Sequence, residues 1–451
     1  MSSAMNQRKR YVLVGTGARV GMFIEAILDR FSDTCEIVGL CDISRQRMAH
    51  HNRRIREVTG AAVPAYGPDA FDQMVRETRA DAVIVTTVDA EHHRYIIRSL
   101  ELGCDVITEK PMTIDAVKAQ AILDAVERTG GKVRVAFNYR YKPEFSKLRE
   151  IVASGEIGTP TLVDFQWRLD TRHGADYFRR WHREKGQSGG LLVHKATHHF
   201  DLVNWILSDF PDIVSSHGAT RFYGRENAEA RGEARPYDRY TGVPEAAQDP
   251  FAIHLDADEG LRSLYLEAEA DSGYVRDRGV FSDRWPLDAE DTMAVLARYR
   301  SGTILSYSLI AYCPWEGEQL TVTGTRGQVE YFARGNGHII RGQSDQELAA
   351  EQQVGERYIR LQKMFQPAEM IEIPEATGGH GGGDTGIVNR VFTPEDQLPP
   401  DPLGRDATHL DGIASILLGV AANKSIEAGG GVPIRTDDLI RWPQSAFAGR
   451  S

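Results

Sequence analysis

The sequence predicts an α/β chain in two parts: a doubly wound parallel sheet, then an α/β domain built on a large, open, mostly antiparallel sheet. Three observations predict it. The apolar run at residues 11–14 passes at once into Gly15-Thr16-Gly17-Ala-Arg19-Val20-Gly21 and then into a helical pattern over 22–28. Strand and helix patterns alternate from there to residue 137, which is how repeated βα units and a parallel sheet read. After Asn138 the rhythm changes to strand-like stretches parted by hairpin signals, such as Gly324-Thr-Arg-Gly327. The expected division is therefore residues 1–140 and 141–451, with a charged, irregular insertion at about 221–285 read as a surface excursion.

In the first part, Gly15 suits the tight turn and Gly17 a close backbone approach to a pyrophosphate at a helix N-terminus. The third glycine, which close helix–strand packing requires, falls one place late at Gly21. The next strand, 36–41, ends in Asp42, placed to accept hydrogen bonds from an adenosine ribose and to repel a 2′-phosphate. Turn, helix, strand and acid together predict a Rossmann domain holding NAD, with Arg45 near enough to leave NADP open. Helices follow at 70–78 and 91–102, the latter closed by Gly103, and strands at 81–86, 106–108 and 133–137. Thr113 is a candidate cap for a helix with Ile114, Val117, Ala121 and Ala125 inward. Thr86, Thr87, Glu109-Lys110-Pro111 and Asn138 fall at strand carboxyl ends, where such sheets bind ligands.

The second part opens with a helix at 145–154. Strands are expected at 162–167, 293–299, 303–309, 320–323 and 329–332. The glycine-rich 378–384 stretch is either a mobile loop or a backbone passing close to ligand and presenting His380 or Asp384. A long helix over 407–426 carries Ile413, Leu417, Val420 and Lys424 in register.

Composition narrows the function. A net charge of -11 supplies no positive field to gather phosphates, which argues against nucleic acid and anionic membranes. Four cysteines without CxxC spacing point to reduced thiols and a cytoplasmic protein. The apolar run at 11–14 is too short for a signal-peptide core or a membrane span.

The chemistry concentrates in Ser188-Gly189-Gly190-Leu-Leu-Val-His194-Lys195-Ala196-Thr-His198-His-Phe-Asp201. Offsets of four and three put His194, His198 and Asp201 on one helix face. A structural face, a metal site and an acid/base site are the competing readings. HKATH lacks a glutamate base and an evident third ligand, so no metal is expected. Removing hydride from a secondary alcohol requires loss of the hydroxyl proton, which a histidine can take and an ammonium such as Lys110 can assist. The segment His173-Gly-Ala-Asp-Tyr177-Phe-Arg179-Arg180-Trp181-His182 mixes aromatic and cationic groups in a way that suits sugar recognition or, equally, a solvated loop with core aromatics.

Glu109-Lys110-Pro111, Gly189-Gly190…His198…Asp201 and Asn138-Tyr-Arg140, taken in order, resemble the Gfo/Idh/MocA family of oxidoreductases over most of the chain. The resemblance implies NAD(P)-dependent oxidation or reduction of a sugar or polyol, with Lys110 and His198 acting near the nicotinamide and the reacting hydroxyl. It also implies a cis Lys110–Pro111 bond; separately, an open sheet usually buries its free face against another subunit, so a homodimer or homotetramer is expected. Arg19, Val20 and His92 are then cofactor contacts beside the residues above. Arg140, Tyr177, Arg180, Trp181, Lys195 and His380 are substrate contacts beside Lys110, His194 and His198. The chain departs from the family pattern at His194, where Asp is usual, and at Ala196, where Gly is usual. A redox-assisted glycosidase, with transient oxidation and elimination, is a second possibility within the family, and a non-catalytic NAD-binding regulator a third.

Overall fold

The computed structural model describes residues 8–335, 356–376 and 378–447. Six strands make the first sheet: β1 (Lys9–Val14), β2 (Cys35–Cys41), β3 (Ala65–Tyr66), β4 (Ala82–Val85), β5 (Asp105–Thr108) and β6 (Val133–Val135). All pair in parallel, in the order 3-2-1-4-5-6. The order reverses between β1 and β4, so the crevice for a ligand opens at their carboxyl ends. Gly15 sits there with φ +85°. A Cβ on it would fall 2.5 Å from the Thr87 backbone nitrogen, whereas one on Gly17 would meet only Tyr265 Oη, at 3.9 Å. Gly21 faces open space, so the third fingerprint glycine has no packing role, and the buried side chain there is that of Val20.

Two local expectations are corrected. Asp115, not Thr113, caps the helix Ala116–Thr129, its carboxylate accepting from Lys118 N at 2.8 Å. Val117 is 81% exposed, and the buried positions are Ala116, Ala119, Ile122, Leu123 and Ala125. The sequence reading also passed over a helix, Arg45–Thr59, whose buried residues are Arg47, Met48, His51 and Ile55.

The second sheet has nine strands: β7 (Pro160–Asp170), β8 (Pro211–Ala219), β9 (Thr292–Tyr299), β10 (Ile304–Cys313), β11 (Gly317–Gly324), β12 (Gly327–Arg334), β13 (Arg357–Lys363), β14 (Glu369–Ile371) and β15 (Ile434–Arg435). Their order is 14-13-12-11-7-10-9-8-15, and only β7 and β10 pair in parallel. In β9, Met293, Val295, Ala297 and Tyr299 are buried while Leu296 is exposed, the alternation of a sheet covered on one face.

The chain does not leave the first core for good at residue 140. Ile387, Val388, Val391 and Phe392 from the helix Gly383–Phe392 pack under β1 and β2. The helix His409–Glu427 is buried nearly all round rather than on one face. Ile413, Ile416 and Leu417 join the first core, and Leu418, Ala421 and Ala422 the second. The 221–285 insertion is likewise packed and not a loose excursion. Leu255, Leu264 and Tyr265 form its own small core. It docks on the first domain through Arg47 Nε to the Leu264 carbonyl (3.1 Å) and Ala18 N to Tyr265 Oη (3.2 Å). No helix among the described residues is long and apolar enough to cross a membrane.

Candidate active site

Gly189 and Gly190, with φ of +72° and +74°, break the chain ahead of two helical pieces, Leu191–His194 and Ala196–Leu207, joined at Lys195. The single helix face expected for His194, His198 and Asp201 is therefore corrected: the three side chains go to three places. His194 turns to Asp89, its Nδ1 lying 2.5 Å from Asp89 Oδ2. His198 stacks on Tyr139 at 4.1 Å and 7°. Asp201 takes both Nε (2.8 Å) and Nη2 (2.5 Å) of Arg140.

Lys110 reaches into the same region from the end of β5, its Nζ donating to the His194 carbonyl at 3.3 Å. The Lys110–Pro111 bond is cis. Burial lowers the Lys110 ammonium to about 8, against the pull of Asp89 and Glu109. Burial also holds His198 well below the usual histidine value, and Lys110 and Lys195 add to it. His194 is depressed in the same way by burial, His182 and Lys110. Burial pushes the Asp89 carboxyl well up, against Lys110 and Arg180. Both imidazoles are thus neutral near pH 7. His198 Nδ1 has no partner among the described residues. The Asp89 carboxyl fixes the orientation of the His194 ring.

The predicted cofactor residues form a connected rim. Asp42 receives Thr16 N, Thr16 Oγ1 (3.0 Å) and Ser44 N (2.8 Å), which ties the glycine turn to the end of β2. Arg45 is exposed; the arginine beside Asp42 is Arg47, at 3.8 Å. Thr86 Oγ1 donates to the Gly15 carbonyl at 2.5 Å, and Thr87 supplies the backbone against which Gly15 packs. Arg19 pairs with Glu109 at 2.6 Å and with Asp384 at 3.4 Å. Asp384 also receives Asn138 Nδ2 (2.7 Å) and contacts His380 Nδ1 (2.7 Å). The glycine-rich 378–384 stretch therefore closes onto this rim. Burial opposes the Asp384 charge, but the His380 hydrogen bond and Arg19 hold its carboxyl at about 2. His92 is corrected to a brace: it is buried between the Pro111 carbonyl (2.8 Å) and the Thr87 carbonyl (3.1 Å).

Of the predicted substrate residues, Tyr177 and Trp181 present ring edges to His194 at 5.6 and 5.8 Å. Lys195 Nζ lies 3.3 Å from Tyr139 Oη and 4.8 Å over the Trp167 ring. Arg180 pairs with Asp176 at 3.0 Å. His380 stands 6.3 Å from the Tyr139 ring. Arg140 is the exception: its side chain is 2% exposed and it is spent on Asp201, Asp411 and the Gly404 carbonyl, which removes it from the substrate surface. Asp89 and Tyr139 were missed as site residues, and His182 was read only as part of the 173–182 segment. The signal for Asp89 was its position just past β4, at the strand-end rim where ligands bind. Among the described residues no cluster of three or more His, Cys, Asp or Glu side chains is arranged to hold a metal.

Residues 9–137 match the profile described as the oxidoreductase family, NAD-binding Rossmann fold, and residues 149–434 that of the family's C-terminal alpha/beta domain. YteT of Bacillus subtilis (strain 168), a protein named as an oxidoreductase, is 38% identical over 399 residues, covering 86% of this chain and 90% of its own. Inositol 2-dehydrogenase of Rhizobium meliloti (strain 1021) is 29% identical over 195 residues, 43% of this chain and 56% of its own. Among solved structures, an oxidoreductase domain protein from Kribbella flavida superposes with a TM-score of 0.62 at 17% identity, over 95% of this chain and 99% of its own. The WlbA dehydrogenase of Bordetella pertussis, in complex with NADH and UDP-GlcNAcA, gives 0.60 at 17% identity with the same coverage.

Proposed function

The chain belongs to the Gfo/Idh/MocA oxidoreductases, and from that premise we propose that it transfers a hydride between NAD and a secondary hydroxyl of a sugar or sugar-like polyol. The observation that carries the reading is Lys110 at the carboxyl end of β5, its Nζ bonded to the His194 carbonyl at 3.3 Å, with His198 four residues on and stacked on Tyr139. Inositol dehydrogenases among the relatives support a polyol substrate.

The site residues fit the cofactor. The Gly15–Gly17 turn leaves open space at Gly17, and Asp42, whose carboxylate accepts from Thr16 and Ser44, stands at the end of β2 where an adenosine ribose would lie. Asp42 disfavours a 2′-phosphate, so NAD is the preferred form over NADP. Bound NAD supplies the hydride acceptor. For the chain's own part, Lys110 bonds the substrate hydroxyl and stabilises the developing alkoxide. His198, neutral through burial, takes the hydroxyl proton, and His194 orients the substrate from its seat on Asp89. The exposed face of the large sheet, with Leu296 and Ile304, supports a homo-oligomer.

The test incubates the protein with free sugars, inositols and nitrophenyl glycosides, following NADH and nitrophenol together. Stoichiometric NADH from a free sugar or polyol is expected, with NAD used more efficiently than NADP. Nitrophenol release without net NADH would replace this reading with a redox-assisted glycosidase.

A further inference from the structure

Beside the site lies a cluster of guanidinium groups with N–H donors to spare among the described residues. Asp176 is shared by three guanidinium groups: Arg276 Nη2 at 2.6 Å, Arg180 Nη1 at 3.0 Å and Arg179 Nη2 at 3.2 Å. Arg179 has a second acceptor, the Phe251 carbonyl, at 2.6 Å. Arg276 does not. Its side chain is 8% exposed, yet Nε and Nη1 are buried with no partner among the described residues, as is Nε of Arg180. A buried N–H left without an acceptor costs the full desolvation of that group, most of all on a cation.

The cluster borders the reacting groups. Arg180 immediately precedes Trp181 and His182, whose rings stand 5.8 and 4.0 Å from that of His194, and Arg276 shares Asp176 with Arg180. Lys195, 3% exposed, forms no ion pair among the described residues; its Nζ lies by the Tyr139 hydroxyl and over the Tyr139 and Trp167 rings. Tyr274 Oη is one more buried polar atom without a partner, and Arg276 lies over the Tyr265 ring at 5.6 Å. Guanidinium forks with vacant donors beside aromatic rings are built to receive an oxyanion.

We propose that the substrate is an acidic sugar, a uronate-like polyol whose carboxylate is received by Arg276 and Arg180 while the hydroxyl to be oxidised lies against Lys110 and His198. The proposal rests on the hydride-transfer reading above and adds the substrate class. A carboxylate brings two oxygens to the N–H groups left without partners on Arg276 and Arg180, and the galactose 6-phosphate arm below tests it against a phosphate.

The experiment titrates the full-length, NAD-loaded protein by calorimetry with D-galacturonate and D-glucuronate, against galactose, glucose and galactose 6-phosphate. A hexuronate is expected to bind at least about tenfold tighter than its neutral counterpart, the scale of one charged hydrogen bond. Arg276→Gln should abolish that preference and Arg180→Gln should reduce it, with the KM for NAD unchanged. Arg180→Gln, at a more exposed position, decides the matter if Arg276→Gln does not fold. Equal affinity for neutral sugars, tighter binding of the phosphate, or no binding of either uronate would overturn the proposal. So would a raised KM for NAD with substrate preference intact, since the cluster would then serve the cofactor's diphosphate. NADH formation is read separately. Neutral polyols turned over without uronate preference sink only the anion site, and uronates bound without any NADH sink only the dehydrogenase.

Discussion

Two arginine–aspartate clusters, Arg140 with Asp201 and the arginines around Asp176, are finished to different degrees. In the first, every nitrogen of the Arg140 guanidinium has an acceptor: Asp201 on Nε and Nη2, Asp411 on Nη2, and the Gly404 carbonyl on Nη1. In the second, Asp176 faces three arginines, and N–H groups of Arg276, Arg180 and Arg179 have no partner among the described residues. A closed cluster ties the helix Ala196–Leu207 to the segment after β6 and to the helix His409–Glu427, so it serves the scaffold. An open one still has capacity for a ligand. Residue type alone does not separate the two, since both are arginines near a family motif; the count of satisfied donors does.

The comparison is broken most forcefully at the closed cluster. Arg140→Met leaves Asp201 and Asp411 buried without their cation, and should cost about 3–5 kcal/mol of stability, measured by urea unfolding. Arg276→Gln, at the open cluster, should cost visibly less in the same titration. If the two losses are equal, the distinction between scaffold and binding cluster fails. Next in size is the chemistry of the site. His198→Ala should lower kcat by roughly a hundredfold or more, the scale of a positioned acid/base, with NAD binding retained. Wild-type turnover in that variant would move the proton to His194, whose Nδ1 side is already held by Asp89.

The smallest effect is one of pH. Lys110 is charged below about 8 and loses its proton above it. His198, lowered by burial, stays neutral and competent at neutral pH. Then kcat/KM for oxidation should be level near neutrality and decline as pH rises through about 8. Lys110→Arg, which does not titrate in that range, should abolish the decline whatever its overall rate. A decline that survives in Lys110→Arg would assign it to another group.

The parallel sheet was legible because its strands are short apolar runs closed by glycine or a charged residue, as at Val14 and Cys41. The helix Arg45–Thr59 was not, because two of its four buried positions are Arg47 and His51, which a hydrophobic pattern does not count. Strand β8 was hidden by its polar register, Ser215-Ser216-His217-Gly218, where Ser216 is buried by donating to the Ala294 carbonyl at 2.9 Å rather than by apolar packing. In the site, Lys110, His194, His198 and Lys195 were readable as motif residues, and all four line one region. Their partners were not, since Asp89 and Arg276 lie 105 and 82 positions from His194 along the chain and only the fold brings them near. Arg140 failed for the opposite reason: it adjoins Asn138 in sequence, but its side chain turns inward to Asp201.

The approach of β4 to the glycine turn bears on how this protein can be dissected in the laboratory. An alanine at position 15 would drive its methyl group into the Thr86–Thr87 main chain, at 2.5–2.6 Å, and at a φ that suits glycine. Such a variant would lose dinucleotide binding through a dislodged strand end, and its inactivity would say nothing about the cofactor contact. Gly17, with only the Tyr265 hydroxyl at 3.9 Å and an ordinary backbone angle of -71°, is the position where an added methyl reads the space meant for the dinucleotide.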